Sequence, residues 1–188
     1  MQSNPTYKFT SQRLGFRSWD AADLDSLSEL NSDSRVMNYF PSVLSRSDSQ
    51  DFMNRMNDML KRERYCYFAV DELDSSNFIG LIGLAKQNFD AAFTPCVDLG
   101  WRLHPRFWGK GYATEGALKC MKYGFNALSI NKILAMAPQV NKQSIAVMNR
   151  IGMKQTSIFI HPKLNRNKRL QSCVLYELTR LQFEENYD

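Results

Sequence analysis

The 188-residue chain lacks several features that would point to other protein classes. No apolar run approaches the roughly 18 residues that a membrane-crossing helix needs, so no membrane partner is expected. The first seventeen residues contain no apolar stretch of the signal-peptide kind, and a cytoplasmic location is the expectation. Histidine is almost absent: His104 and His161 stand alone, in no metal-ligand spacing, which argues against a zinc site or a histidine-based triad. Metal is therefore expected to be none. The four cysteines, Cys66, Cys96, Cys120 and Cys173, form no Cys-x-x-Cys pair and read as reduced structural thiols. The net charge of +5 favours an anionic partner but is too small to argue direct nucleic-acid binding.

What is present is an ordinary globular composition, 44% hydrophobic and 23% charged, in a length that suits one domain over residues 1–188. Residues 13–18 alternate and read as a strand. Asp20 is a plausible N-cap for a helix through Asn31, with Leu24, Leu27 and Leu30 as its apolar stripe. A short helix is expected near 35–39 and a longer one from Ser47-Asp48 to about Glu63. Residues 65–70 and 78–86 read as a hairpin across a polar turn, and 97–103 as a central strand. A helix over 111–128, a strand over 132–136, a helix over 141–150 ended by Gly152, and strands over 154–160 and 170–179 complete the pattern. This order predicts an α+β or mixed α/β sheet protein.

The informative stretch is 99–116, LGWRLHPRFWGKGYATEG. A strand runs into a turn holding Gly109 and Gly111, and a helix starts directly after. A helix start leaves backbone N–H groups without intrahelical partners, and the macrodipole adds about half a positive charge there. Glycines let the backbone approach a ligand closely. The combination suits a diphosphate, with Arg106 and Lys110 able to add positive charge. Two rival phosphate motifs fail on inspection. A P-loop needs Lys after its second glycine, but Ala117 follows Gly116. A dinucleotide fingerprint needs Gly or Ala where Thr114 stands, and no acidic residue occupies 131–134.

The same stretch resembles the acetyl-CoA motif of the GNAT superfamily, Arg/Gln-x-x-Gly-x-Gly/Ala, and its HP-x-x-WGKGYATE wording is similar to the ribosomal-protein N-terminal (alanine/serine) acetyltransferase branch. A second match follows: Asn141-Lys-Gln-Ser144, then Arg150-Ile-Gly152-Met153, resembles the family's Asn-x-x-Ser…Lys-x-Gly-Phe segment. The resemblance implies a GNAT-like α+β (mixed α/β) fold, with a central twisted mixed β-sheet flanked by helices, and an acyltransferase that moves an acetyl group from acetyl-CoA to a primary amine in a ternary complex. The amine belongs to a protein N-terminus or to a small molecule, and the resemblance leaves room for a homodimer. It also implies that backbone amides of Trp108, Gly109, Lys110, Gly111, Tyr112, Ala113 and Thr114 hold the diphosphate. Trp101, Arg102 and Leu103 pair with the pantetheine arm in a splay beside the strand at 132–136, and an N–H near Leu103 meets the oxyanion. Asn141 bonds the pantetheine amide, caps its helix, or does both.

An acceptor amine must be neutral to attack. At pH 7 that costs about 4.6 kcal/mol for a lysine amine and about 1.1 kcal/mol for an α-amine. Asp98 is the candidate general base, because relatives often carry glutamate at the matching strand position; the plainer reading is an outward-facing carboxylate or an arginine partner. Many relatives protonate the leaving thiolate with a tyrosine, but the matching residue here is Met148, which cannot donate. Ser144 is the alternative donor; its plainer reading is a helix-start hydroxyl bonded to its own backbone. A non-catalytic CoA-binding module is the rival. Trp101, Trp108 and Tyr112 cluster near the motif. The basic loop 162–169 reads as a solvated hairpin tip, and the methionines of 53–59 as core.

Overall fold

The computed structural model describes residues 6–187. Eight strands form one sheet: β1 (Phe9–Thr10), β2 (Leu14–Arg17), β3 (Tyr67–Glu72), β4 (Asn77–Gln87), β5 (Cys96–Leu103), β6 (Lys132–Pro138), β7 (Lys154–Ile160) and β8 (Ser172–Thr179). Their spatial order is β1-β2-β3-β4-β5-β6-β8-β7. Every neighbouring pair is antiparallel except β5–β6, so the sheet is mixed, as the resemblance implies. Five α-helices pack around it: α1 (Leu24–Ser32), α2 (Arg46–Glu63), α3 (Tyr112–Lys122), α4 (Lys142–Arg150) and α5 (Arg180–Tyr187).

Local chemistry sets the helix boundaries. Asp20 caps a 3₁₀ turn that leads into α1: its Oδ1 accepts the Ala22 N–H at 2.9 Å, and Asp23 accepts the Asp20 N–H at 2.8 Å. The long helix α2 starts earlier than the expected Ser47-Asp48, because Ser45 and Asp48 form a reciprocal capping box, each side chain accepting the other's backbone N–H. The helix expected over 111–128 is α3 followed by a π-helical turn at Tyr123–Ala127. The last strand starts at Ser172 instead of 170, since Leu170 donates to the Asn167 carbonyl in a turn. Two elements, β1 and α5, escape the sequence reading. β1 is two residues long, and of α5 only Phe183 is buried, against Phe125 with ring centroids 5.0 Å apart.

Strand β4 is buried along most of its length, which makes it the spine of the core. Helix α3 presses closely on one face: a Cβ on Gly116 would stand 2.3 Å from Ile82 Cδ1. Helices α1 and α2 cover the opposite face, where Met53 and Met56 are core, as read from their spacing. Arg17 pins the sheet margin by holding Asp23 at 2.7 Å and Asp71 at 2.6 Å. All four cysteines are free.

The feature that positions the site is the β5–β6 junction. These parallel strands share a single register pair, Asp98 with Leu134, and then diverge. Strand β5 stays with β4 as far as Leu103, while β6 stays with β8 as far as Pro138. A wedge therefore opens between them, with an unpaired strand edge on each side.

Candidate active site

The wedge is part of a cleft of about 1220 Å³ that passes from one face of the sheet to the other. At one end stand the glycine turn and the start of α3. Gly109 and Gly111 take φ values of 74° and 81°, in the left-handed region that only glycine adopts freely. A Cβ at Gly109 would meet nothing within 4 Å, so a ligand can approach the backbone there. Within α3, Glu115 is the first residue whose N–H finds a helical acceptor, the Gly111 carbonyl at 3.0 Å. The N–H groups of Tyr112, Ala113 and Thr114 precede it and stay open, and all three residues line the cleft.

The side chains of the motif serve differently from expectation. Arg106 and Lys110 are exposed, sit over the Phe107 ring at 5.1 and 5.2 Å, and form no part of the cleft wall. The 3₁₀ turn at Pro105–Phe107 buries Phe107 and turns its neighbours outward. Arg13, far from this stretch in sequence, braces the turn from outside. It donates to the Lys110 carbonyl at 3.1 Å, pairs with Glu115 at 2.7 Å and lies 4.5 Å from the Tyr112 ring centroid. The aromatic cluster is likewise dispersed. The Trp108 indole N–H donates to the Leu103 carbonyl at 2.7 Å while its ring stays 41% exposed, and the Tyr112 hydroxyl donates to Glu72.

Strand alternation decides what β5 offers the wedge. The His104 N–H donates to the Ile79 carbonyl of β4 at 2.9 Å, so the alternate N–H groups of Leu99, Trp101 and Leu103 face away from β4; that of Leu99 is taken up by the Asp98–Leu134 pairing with β6, and those of Trp101 and Leu103 face the wedge. Arg102 does not fit the expected pantetheine pairing. Its carbonyl faces β4, so close that a Cβ on Gly80 would lie 2.2 Å from it. Its side chain shares a sheet face with Asp98 and Gly100, the face covered by α1 and α2. Trp101 shares the α3 face with Ile82, its register partner.

On the α1–α2 face the cleft holds Asp98, only 7% exposed. Gly100 has no side chain, and the Tyr67 ring occupies that space; a Cβ there would be 2.8 Å from Tyr67 Cε1. Tyr67 thereby reaches Asp98 and donates its hydroxyl proton to Oδ2, while the Gln87 amide donates to the Tyr67 oxygen at 3.2 Å. The other carboxylate oxygen, Oδ1, is buried without a partner. Burial pushes the Asp98 carboxyl up to about 7, against a smaller downward effect of the Tyr67 hydrogen bond. The outward-facing reading of Asp98 is therefore wrong, and no arginine pairs with it. Tyr67 carried no signal in the sequence beyond its place in an alternating strand.

Helix α4 closes the wedge from the β6 side. Asn141 caps it, its Oδ1 accepting the Ser144 N–H at 3.1 Å, which leaves the amide NH₂ for a ligand. Ser144 lines the cleft, and its hydroxyl has no partner among the described residues. Met148 is 1% exposed and packs in the core with its side chain on the cleft wall. The loop expected as a solvated tip is instead a strap. Leu164 and Leu170 are buried with Cys173, and Arg169 crosses to Asn38, donating to its Oδ1 at 2.9 Å. His161, Lys163 and Leu164 consequently bound the cleft, with Tyr39 packed against the Leu164 cluster.

This arrangement defines a class. An open strand edge meets a glycine-lined helix start, which can hold an elongated anionic ligand, and a buried carboxylate of raised pKa stands across the wedge. The acetyltransferase (GNAT) domain family matches residues 13–154, and the chain belongs to this family. It is an acyltransferase enzyme with the GNAT fold. It is 31% identical to the uncharacterized N-acetyltransferase YnaD of Bacillus subtilis (strain 168), over 80% of this chain and 84% of that protein. A GNAT-family acetyltransferase from Bacillus anthracis has a similar structure, with TM-score 0.77 and 26% identity, covering 92% of this chain and 98% of that one. The Vibrio cholerae spermidine N-acetyltransferase, solved with CoA and spermine, shares the fold at TM-score 0.74 and 18% identity, covering 92% and 98%. Among the described residues no helix is long and apolar enough to cross a membrane.

Proposed function

We propose that the protein transfers the acetyl group of acetyl-CoA to a primary amine by direct attack within a ternary complex. The observation that carries this reading is the continuity of the cleft: one opening joins the free N–H groups of Tyr112, Ala113 and Thr114, the unpaired edge of β5 and the buried Asp98. Acetyl-CoA supplies the activated thioester. The chain supplies the rest. The start of α3, with Gly109 and Gly111, suits the diphosphate. The Leu99 carbonyl and the wedge-facing groups of Trp101, with the Asn141 amide, suit the pantetheine amides. The Leu103 N–H is a donor for the thioester oxygen.

Asp98 is the base. Its Oδ1 takes the amine proton, directly or through one water, and a carboxyl titrating near 7 is ionised in a useful fraction at neutral pH. Ser144 is the hydroxyl available to the departing sulfur, since Met148 has no proton to give.

The motif's likeness to the ribosomal-protein branch favours a protein N-terminal α-amine. The strap from His161 to Arg169 favours a small acceptor, because it narrows the acceptor end where a polypeptide would enter, and we adopt the small amine. Incubation with acetyl-CoA and a panel of amines should release free thiol in proportion to acetylated product. Tight CoA binding with no thiol released from any amine would leave the non-catalytic CoA-binding module in its place.

A further inference from the structure

Arg102 has no task in the transfer just described, yet it is an expensive residue to keep where it stands. Its Nε is buried without a partner, and burial lowers its pKa to about 10. The guanidinium is held still. Nη1 donates to Asn31 Oδ1, Asn31 Nδ2 donates to Ser49 Oγ at 3.0 Å, and Ser49 Oγ donates to the Ser45 carbonyl at 3.0 Å. The Phe40 ring lies 4.2 Å from the guanidinium carbon. A guanidinium has five N–H donors, and only one is engaged by the protein. Among the described residues no carboxylate pairs with it. The residue lines the same cleft as Asp98, on the same face of β5, four positions along the strand.

Resting on the acetyltransferase reading, we infer that the acceptor is a small amine that also carries a carboxylate, with the amine presented to Asp98 and the carboxylate held by the preorganised guanidinium of Arg102. An Arg–carboxylate pair is among the strongest neutral-pH recognition contacts, and here it would satisfy the orphaned Nε. The strand sets the length. Positions four apart are about 13 Å apart along a strand. After the reach of the arginine side chain, the amine and the carboxylate of the acceptor lie roughly 6–10 Å apart. This fits an ω-amino acid or a dipeptide and is too long for an α-amino acid. A polyamine fits poorly. Arg102 and Lys163 line the acceptor end, together with Arg35, which is paired with Asp33; among the described residues lining that end Asp98 is the one acidic side chain, and Arg13 already neutralises Glu115 at the other end.

The test compares matched pairs on the whole protein: 6-aminohexanoate against 6-aminohexanamide, and glycyl-phenylalanine against its C-terminal amide, with spermidine as polycation. The expected result is a kcat/KM at least tenfold higher for each acid than for its amide, with spermidine below the acids. In Arg102→Gln the acid-to-amide ratio should fall to about one. A purely packing role for Arg102 would lower the melting temperature and leave that ratio unchanged. If Arg102→Gln does not fold, the wild-type pairs decide alone. Equal rates for acid and amide, or spermidine as the best acceptor, overturn the inference while the transferase reading stands. If no amine is turned over, the transferase reading fails, and binding of the N-acetylated acids against the N-acetylated amides still decides the carboxylate: at least tenfold tighter binding of the acids supports it, and equal or absent binding overturns it.

Discussion

The two ends of the cleft are built from different materials. The α3 end is made of backbone: two glycines at positive φ, three open N–H groups and one strand edge, all within about twenty consecutive residues. The acceptor end is made of side chains brought from far apart, with Tyr67 reaching Asp98 across 31 positions and Arg102 reaching Asn31 across 71. Backbone donors bind whatever diphosphate they meet and tolerate side-chain change. A site of converging side chains is selective, and a single substitution in it alters both chemistry and acid–base balance. The first end marks the family; the second decides the individual acceptor.

The sharpest way to break this contrast is Asp98→Asn, which keeps the shape and removes the base. Loss of kcat/KM should be about 10²–10⁴-fold, read from thiol release. In the wild type, kcat/KM should rise with pH through about 7 as Asp98 ionises, and the variant should lose that limb. Stability should move the opposite way. Because the folded-state pKa is raised, the native state holds its proton longer than the unfolded chain does. Wild-type stability therefore falls as pH rises from about 4 through 7, by on the order of 4 kcal/mol, and Asp98→Asn should be more resistant to denaturant at pH 8. A variant equally active and no more stable would remove the buried-base account.

At the backbone end, Gly111→Trp imposes a side chain at φ 81° and obstructs the approach to the turn. CoA affinity measured by calorimetry should weaken tenfold or more, the left-handed strain alone being worth about 1–2 kcal/mol. Unchanged affinity would detach the turn from the diphosphate. Tyr67→Phe, at the side-chain end, removes the hydrogen bond that stabilises the Asp98 carboxylate. The ascending pH limb should shift upward by about one unit, with a rate loss near tenfold at pH 7. The smallest effect belongs to Ser144→Ala, where kcat should drop by several-fold to tenfold with little change in the KM for acetyl-CoA. Equal turnover would excuse Ser144 from proton donation.

The same contrast explains what could be read from the chain. The strand–glycine–helix order around Gly109 and Gly111 and the Asn141 cap are local, so spacing alone exposes them. Arg106 and Lys110 stand off the cleft wall, over the buried Phe107 ring, and burial of a neighbour is not local information. Arg102 was grouped with Trp101 and Leu103, although a strand points successive residues to opposite sides; the register with β4 had to be known before its N–H could be assigned. The strap at 162–169 looked like a polar tip because its two anchoring leucines are separated by five intervening residues, three of them basic.

Sequence by itself determined the order of the longer strands and helices and the glycine turn before α3, since each follows from periodicity, capping and glycine over a few adjacent residues. Only the tertiary structure decided that β5 and β6 part after one shared pair, that Tyr67 fills the space left by Gly100 to reach Asp98, and that the Nε of Arg102 lies buried without a partner. Those outcomes depend on which distant segments exclude water together, and exclusion of water is a property of the folded whole.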